Sequence, residues 1–310
     1  MSNKMKAFVR TSAKTQEVEL QEVQIPKMQS DEVLIKVKAF GVGIHDRYFI
    51  PSDVHFPYVI GSEGAGTIKE QGSGVKDFNI GDKVIFTTVL QKEGGSWAEY
   101  AVAKQSALIK LPDNLTAEEG ASIPVAGKTA LECMREINLN NGDSLFIAGA
   151  SGAIGTLLIQ LAKAKGIRIS ASASLKNQDY MKSLGAEQTV DYNDPDWIMK
   201  VKEWSNGGVD KALAIQPGTG IESIQVVKDN GELVTVSGDN TSVSPQRNIE
   251  VRQMGHQLFT NREMIELVNE ISNEKVKVVI EKEYSFKDAL NALKKTETRR
   301  ARGKLVVKVD

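Results

Sequence analysis

The sequence predicts an α/β protein in which a β-rich region is followed by a doubly wound parallel sheet. Three observations support this fold class. The 310 residues are enough for two domains. Up to about residue 117, short β-branched runs alternate with glycine clusters, and from Ser144 onward apolar runs alternate with helical stretches.

The β-rich region is predicted from short apolar runs bounded by turn residues. Glycine pairs such as Gly41/Gly43 and Gly72/Gly74 supply the turn signals. The predicted strands are residues 5–9, 32–39, 64–70 and 83–88. A helix is predicted to start after Thr116, with this residue as N-cap and Glu119 at the third helical position.

The middle of the chain has the strand–helix alternation that is typical of parallel sheets covered by helices. Its predicted strands are residues 144–148, 167–171, 188–190, 211–215 and 232–237. The helices between them are predicted at residues 153–165, 177–184, 196–204 and 220–228. The tail is predicted to hold helices near 263–272 and 286–295, and a last strand at 304–309.

Composition and charge restrict the partners and the location. With 39 basic and 40 acidic residues, the formal net charge is −1, so no electrostatic attraction to nucleic acid or to an anionic membrane is expected. The first ten residues lack the apolar core of a secretory signal, and no run of eighteen apolar residues occurs. We therefore predict a cytoplasmic protein with no nucleic-acid or membrane partner.

Cysteine and histidine are too sparse for most metal sites. Cys133 is the single cysteine, which excludes an intrachain disulfide and a cysteine-based zinc site. The three histidines, His45, His55 and His256, show no metal-binding spacing. The sequence predicts no bound metal.

A glycine-rich turn joins the predicted strand 144–148 to the helix that follows. Its sequence is Gly149-Ala150-Ser151-Gly152-Ala153-Ile154-Gly155. Such a turn lets the backbone approach a pyrophosphate at a helix N-terminus, so Ser151, Gly152, Ala153 and Ile154 are predicted to bind a dinucleotide. Aligned on Gly155, the first glycine of the fingerprint is replaced by Ala150. The alternative is an ordinary structural turn of a parallel sheet.

The end of the second strand indicates which dinucleotide is bound. NAD sites usually carry an acidic residue there, to hold the ribose 2′-hydroxyl. Residues 169–176 contain no acid, but do contain Ser172, Ser174 and Lys176, which suit a 2′-phosphate. The sequence therefore favours NADP(H) over NAD. The alternative for Lys176 is a solvated residue at a helix start.

Several short motifs occur together in a specific order along the whole chain. They are Gly61-Ser62-Glu63-Gly64-Ala65-Gly66-Thr67, Gly72-Ser73-Gly74-Val75, Gly81-Asp82-Lys83-Val84, Gly95-Ser96-Trp97-Ala98-Glu99-Tyr100, Pro124-Val125-Ala126-Gly127-Lys128-Thr129-Ala130, Leu161-Ala162-Lys163, Ser183-Leu184-Gly185-Ala186, Gly207-Gly208-Val209-Asp210 and Gly303-Lys304-Leu305-Val306-Val307. On these motifs the chain resembles the medium-chain dehydrogenase/reductase superfamily. Within it, the resemblance is to the zinc-independent quinone oxidoreductase family, which is zeta-crystallin-like.

The resemblance implies a particular division of the chain. A GroES-like β-rich catalytic domain would comprise residues 1–117 and 259–310, and a Rossmann cofactor domain, with a doubly wound parallel sheet, residues 118–258. Relatives usually dimerise through the cofactor domain, so a homodimer is expected. Zinc-dependent relatives carry a histidine at the position of Ser62 and a cysteine at or near Gly43, which fits the prediction of no metal.

The resemblance also implies roles for cofactor-binding residues outside the glycine turn. Thr129 matches a position that contacts the nicotinamide carboxamide. Tyr192 matches a position beside the 2′-phosphate or the adenine. Ser237 and Gly238 end the fifth predicted strand, at the edge of the sheet where such cofactors bind.

Two catalytic candidates lie in the loop that follows residue 43. Tyr48 matches a position where quinone reductases often hold a substrate-facing tyrosine, and His45 is a candidate general acid. The alternative for Tyr48 is a core position beside Phe49. Simpler interpretations apply to nearby residues: Asp46 fixes a turn, and His55 is a packed histidine. Cys133 is expected to be a small buried hydrophobe.

The predicted function is therefore a zinc-independent, NADPH-dependent oxidoreductase that transfers hydride to a quinone or an activated enone. One alternative is a 2-alkenal or enoyl-thioester reductase, because fold does not determine substrate. Another alternative is a non-catalytic NADPH-binding redox sensor. The departure from the family's usual asparagine at Gly43 keeps that alternative open.

Overall fold

The computed structural model describes residues 3–237, 242–244, 246–255 and 261–309. The chain divides into two compact units. The first unit comprises Met1–Val125 and Thr260–Asp310, so both chain ends belong to it, and the second comprises Ala126–Phe259. The domain limits predicted at 117/118 and 258/259 stay a prediction.

The described residues form the following strands in chain order: β1 Lys4–Arg10, β2 Val18–Gln24, β3 Glu32–Val42, β4 Tyr58–Val59, β5 Glu63–Gln71, β6 Lys83–Thr87, β7 Tyr100–Lys104, β8 Leu108–Lys110, β9 Ser144–Ala148, β10 Arg168–Ala173, β11 Gln188–Asp191, β12 Val209–Ala214, β13 Val227–Thr235, β14 Glu250–Gln253, β15 Ile280–Ser285 and β16 Lys304–Lys308. The α-helices are α1 Ala117–Ala121, α2 Pro124–Ile137, α3 Ala153–Ala164, α4 Gln178–Leu184, α5 Trp197–Trp204, α6 Gly220–Val226, α7 Asn261–Ser272 and α8 Ala289–Glu297. Among these described helices, none has the length and hydropathy needed to cross a membrane.

The first unit is built on two β-sheets. Seven strands form the larger sheet, in the order β15-β16-β3-β5-β6-β8, with β7 also paired to β3. The smaller sheet has the order β2-β1-β4. Aromatic rings fill the core between them: Trp97 stacks on Phe40 at 5.0 Å between ring centroids and meets the edge of Phe8 at 5.9 Å.

The second unit is one six-stranded parallel sheet in the order β11-β10-β9-β12-β13-β14. This order runs outward from β9 in one direction and then from β12 in the other, which is the doubly wound arrangement. All five residues of β9 are buried, as expected for a central strand covered on both faces. The predicted fold class is confirmed.

The helix start at Thr116 is confirmed in detail. The Thr116 hydroxyl accepts from the Glu119 N–H at 3.1 Å, and the Glu119 carboxylate accepts from the Thr116 N–H at 2.9 Å. This reciprocal pair satisfies two N–H groups that the first turn of α1 would leave unpaired.

Some predicted elements differ from those observed. The strand predicted at 232–237 spans Val227–Thr235, so the helix predicted to reach residue 228 ends at Val226. Ser237 therefore lies two residues beyond the strand that it was predicted to end. The sequence analysis also missed six strands. Three of them, β2, β14 and β15, are sheet-edge strands that are largely exposed and lack a continuous apolar pattern. The other three, β4, β7 and β8, have only two to five residues.

Candidate functional site

The turn after β9 is shaped by a glycine that the fingerprint alignment did not single out. Gly149 has a φ of +78°, and a Cβ there would lie 2.6 Å from Cγ of Gln216. The tight turn is therefore the role of Gly149, and not of the position that Ala150 occupies in the alignment. Ala150 is buried, and its N–H donates to the Ser172 carbonyl at 3.1 Å.

The other two glycines of the turn face different surroundings. A Cβ on Gly155 would lie 2.3 Å from the Ala150 carbonyl oxygen, so this glycine allows α3 to pack closely on the turn. A Cβ on Gly152 would meet only the Gly149 carbonyl oxygen, at 3.7 Å. The space above Gly152 is thus open, as it must be for a pyrophosphate to approach the backbone.

The N-terminus of α3 has the electrostatic character of an anion site. Gly152 is its N-cap, provides no side-chain cap, and is followed by a first turn without acidic residues. Ser151, Ala153 and Ile154 are half-buried. The first N–H groups of α3 can therefore donate to a phosphate placed above Gly152, so this chain's residues fit a dinucleotide.

The predicted 2′-phosphate residues lie where β10 ends. Ser172 is buried in the strand, Ser174 is half-buried just beyond it, and Lys176 is exposed. Asn177 was not predicted as a site residue, although its amide contacts both Ser151 and Ser174. The sequence analysis placed Asn177 only at the start of the predicted helix 177–184, and no sequence signal pointed to these contacts.

Tyr192 follows β11 at the neighbouring strand end. Ala173 and Asp191 are register partners in β10 and β11, so the residues after them leave the sheet side by side. Tyr192 is 51% exposed. Asp191 is an acid that the sequence analysis did not weigh; its carboxylate accepts from the N–H and the side-chain amide of Asn193, at 3.0 and 2.8 Å.

The remaining predicted cofactor residues are Thr129, Ser237 and Gly238. The Ser237 hydroxyl donates to the Ile215 carbonyl, just beyond the end of β12. Thr129 is half-buried in α2. Gly238 lies outside the described residues.

In the first unit, a buried carboxylate organises the loop that carries the catalytic candidates. Asp46 accepts from the Gly43 N–H at 2.6 Å and from the Ser62 hydroxyl at 2.8 Å. The prediction that Asp46 fixes a turn is confirmed. Burial raises the pKa of Asp46 to about 6, although the Gly43 N–H, the charge of Lys304 and the Ser62 hydroxyl oppose this rise.

Tyr48 and His45 are both exposed on this loop. Tyr48 is 44% exposed, so its alternative placement in the core is wrong. The His45 ring stacks on Phe49 with 4.9 Å between centroids and 7° between planes. Partial burial, followed by the charge of Arg299, lowers the pKa of His45, so the ring is neutral at pH 7.

Burial was also predicted for His55 and Cys133, and only one of these two predictions is correct. His55 is exposed, so its prediction as a packed histidine is wrong. Cys133 is fully buried, as predicted, and burial raises the pKa of its thiol to about 12. The thiolate that would make it a nucleophile is therefore disfavoured.

The place where zinc-dependent relatives hold their metal lacks their histidine and cysteine donors here. Gly43 has no side chain, and the Ser62 hydroxyl already donates to Asp46. Within the described part of the chain, no three His, Cys, Asp or Glu side chains come together as metal ligands do. The donor set does not fit a zinc ion.

Comparison with known proteins agrees with this architecture. Residues 29–113 match the family described as "Alcohol dehydrogenase GroES-like domain". Residues 184–307 match the one described as "Zinc-binding dehydrogenase". The chloroplast envelope quinone oxidoreductase homolog of Arabidopsis thaliana is 30% identical, and the match covers 92% of each chain. The chain belongs to the medium-chain dehydrogenase/reductase superfamily.

Two other members of the superfamily extend the comparison. The chloroplastic NADPH-dependent alkenal/one oxidoreductase of Arabidopsis thaliana is 30% identical over 92% of this chain and 74% of its own. The structure of the quinone oxidoreductase from Coxiella burnetii has a TM-score of 0.88 at 29% identity, covering 99% of this chain and 100% of that chain. This medium-chain dehydrogenase/reductase is thus quinone oxidoreductase-like, an NAD(P)-dependent oxidoreductase that acts on small molecules.

Proposed function

We propose that this chain is a zinc-independent, NADPH-dependent reductase of quinones or activated enones. The observation that carries the proposal is the hydrogen bond from Ser62 to Asp46 at the place of the zinc ligands. Without a Lewis acid to polarise an alcohol, hydride transfer needs an acceptor that is already electron-poor. Quinones and α,β-unsaturated carbonyls meet this requirement, and the two Arabidopsis relatives are named for such substrates.

The choice of NADPH rests on the charges beside the glycine turn. No acid follows β10 before Asp179, whereas Ser174 and Lys176 can donate to a 2′-phosphate. We assign the pyrophosphate to the N-terminus of α3, with Gly152, Ala153 and Ile154, and the Ser151 hydroxyl to the 2′-phosphate. Ser172 and Tyr192 belong with the adenosine end. Thr129 is assigned to the carboxamide, and Ser237 and Gly238 to the same edge of the sheet.

The chain's own contribution to catalysis lies in its exposed loop. A bound reduced nicotinamide supplies the hydride. Tyr48 donates its hydroxyl proton as a hydrogen bond to the substrate oxygen, on which negative charge develops. Asp46 holds the loop in place through Gly43 and Ser62. We further propose a homodimer, as is usual for relatives.

The test is oxidation of NADPH and of NADH with a panel of quinones, enones, 2-alkenals and enoyl thioesters. The expected result is turnover of quinones or enones with a clear preference for NADPH. Turnover of enoyl thioesters alone would favour the second reductase class. Tight NADPH binding without oxidation by any acceptor would contradict the enzyme and support a redox sensor.

A further inference from the structure

Asn177 connects two loops that follow different strands. It ends the short 3-10 turn Leu175–Asn177, and only 7% of it is exposed. Its side-chain nitrogen lies 3.2 Å from the Ser151 hydroxyl, in the turn after β9. The same nitrogen lies 3.3 Å from the Ser174 hydroxyl, in the loop after β10.

This arrangement is not the usual use of asparagine at a helix start. Asn177 immediately precedes α4, yet its side chain makes no capping hydrogen bond to that helix. The two serine hydroxyls accept hydrogen bonds from its amide nitrogen instead. The buried amide therefore makes hydrogen bonds to these two loops and does not cap α4.

The direction of these hydrogen bonds determines what the serines can bind. An amide NH2 group only donates, so both hydroxyl oxygens act as acceptors toward Asn177. Each hydroxyl therefore keeps its own proton for another partner. Because Ser151 and Ser174 are half-buried, and not fully enclosed, that partner can be a ligand. A phosphate group, which only accepts near neutral pH, is the complementary ligand.

We propose that Asn177 is a positioning residue that sets cofactor choice, by holding the Ser151 and Ser174 hydroxyls as donors to the 2′-phosphate of NADPH. This inference rests on the proposed function, which supplies the cofactor class. Both hydroxyls lie within hydrogen-bond distance of one nitrogen, so a single phosphate group can accept from both.

The decisive variant is Asn177→Asp, which keeps the shape of the side chain but turns its donors into acceptors. Ser151 and Ser174 then donate to the new carboxylate, whose charge also repels a phosphate. The dissociation constant of NADPH is expected to rise about 30-fold or more, since hydrogen bonds to a charged group are lost. That of NADH is expected to change less than about threefold, because NADH lacks the 2′-phosphate.

Two further variants control for charge and for folding. Asn206→Asp makes the same substitution at an exposed turn after α5, on the opposite edge of the sheet, and is expected to leave both dissociation constants unchanged. Asn177→Ala removes the donor without adding charge, and is expected to weaken NADPH binding about fivefold to tenfold. Calorimetric titration gives the constants, and thermal unfolding identifies any variant that does not fold.

The outcomes separate this inference from the proposed function. If the unmodified protein binds NADPH no tighter than NADH, the proposed cofactor is wrong. If it prefers NADPH and Asn177→Asp retains that preference, the proposed function stands and the role of Asn177 is overturned. Equal weakening of both cofactors would also overturn it, since that result indicates a purely structural role.

Discussion

The loop between Gly43 and Phe49 carries both residues that are proposed to act in catalysis. Tyr48 is exposed, and its hydroxyl group can donate a hydrogen bond to a ligand. His45 is neutral at pH 7 because its pKa is lowered. The tyrosine is therefore the better hydrogen-bond donor to a developing oxyanion.

We predict that Tyr48→Phe lowers kcat/KM for enones about a hundredfold to a thousandfold, the range for loss of one oxyanion donor. His45→Gln is expected to lower it less than about threefold, because a neutral ring is not a strong proton donor. Steady-state kinetics with one quinone and one enone checks both variants. A larger loss for His45→Gln than for Tyr48→Phe would reverse the two roles.

The buried Asp46 predicts a pH dependence of stability. An unfolded aspartate titrates near pH 4, whereas burial raises the pKa of Asp46 to about 6 in the folded chain. Between these values the folded chain binds more protons than the unfolded chain, so this residue lowers stability as the pH rises. Ionised Asp46 then costs roughly 2–3 kcal/mol above pH 6.

Replacing Asp46 with asparagine is expected to remove this dependence. Relative to the unmodified protein, the free energy of unfolding of Asp46→Asn should rise by roughly 2–3 kcal/mol between pH 4 and pH 7. Urea unfolding at several pH values measures it. Asp113→Asn, at a side chain that is 98% exposed, should show no such trend. A difference that is constant with pH would show that Asp46 titrates normally.

Within a single element, α3, two glycines near the start of the helix have different surroundings. Gly152 has a φ of −76°, which alanine also adopts, and open space for a Cβ. Gly155 has no such space, because its Cβ would overlap the Ala150 carbonyl. We therefore expect Gly152 to serve ligand binding and Gly155 to serve the fold.

Two alanine substitutions test this division. Gly152→Ala is expected to leave the free energy of unfolding nearly unchanged and to weaken dinucleotide binding about tenfold or more, since the Cβ fills the space of the pyrophosphate. Gly155→Ala is expected to cost about 1–3 kcal/mol of stability through overpacking. Chemical unfolding and calorimetric titration of both variants check this. Equal effects on stability would contradict it.

For the whole molecule, a buried ion pair joins the N-terminal and C-terminal segments of the chain within the first unit. Glu63 in β5 and Lys304 in β16 are 1% and 7% exposed, and their charged groups are in contact. The second carboxylate oxygen of Glu63 accepts from the Val125 N–H at 2.7 Å. Three parts of the sequence therefore meet at one carboxylate.

We predict that Lys304→Met lowers stability by about 3–5 kcal/mol, because it leaves Glu63 buried without its cation. The double variant Glu63→Gln/Lys304→Met is expected to recover a large part of this loss. Lys83→Met, in an exposed pair with Asp113 at 3.5 Å, serves as control and should have a much smaller effect. Urea unfolding of all variants is the measurement. A small effect of Lys304→Met would show that Glu63 is neutral or solvated.

Features that depend on neighbouring residues could be predicted from the sequence. The capping box at Thr116 joins residues three positions apart, and the turn after β9 follows from adjacent glycines. The doubly wound sheet follows from alternating strands and helices, because crossover connections restrict the topology.

Contacts between residues that are far apart in the sequence could be identified only from the tertiary structure. Ser62 reaches Asp46 across sixteen residues, and Asn177 reaches Ser151 across twenty-six. Only the folded chain shows that Tyr48 is exposed, that Gly149 makes the tight turn and that exposed strands complete the sheets. The reason is physical: these groups meet only when packing and strand pairing bring distant segments together, and a local pattern of residues does not specify which segments meet.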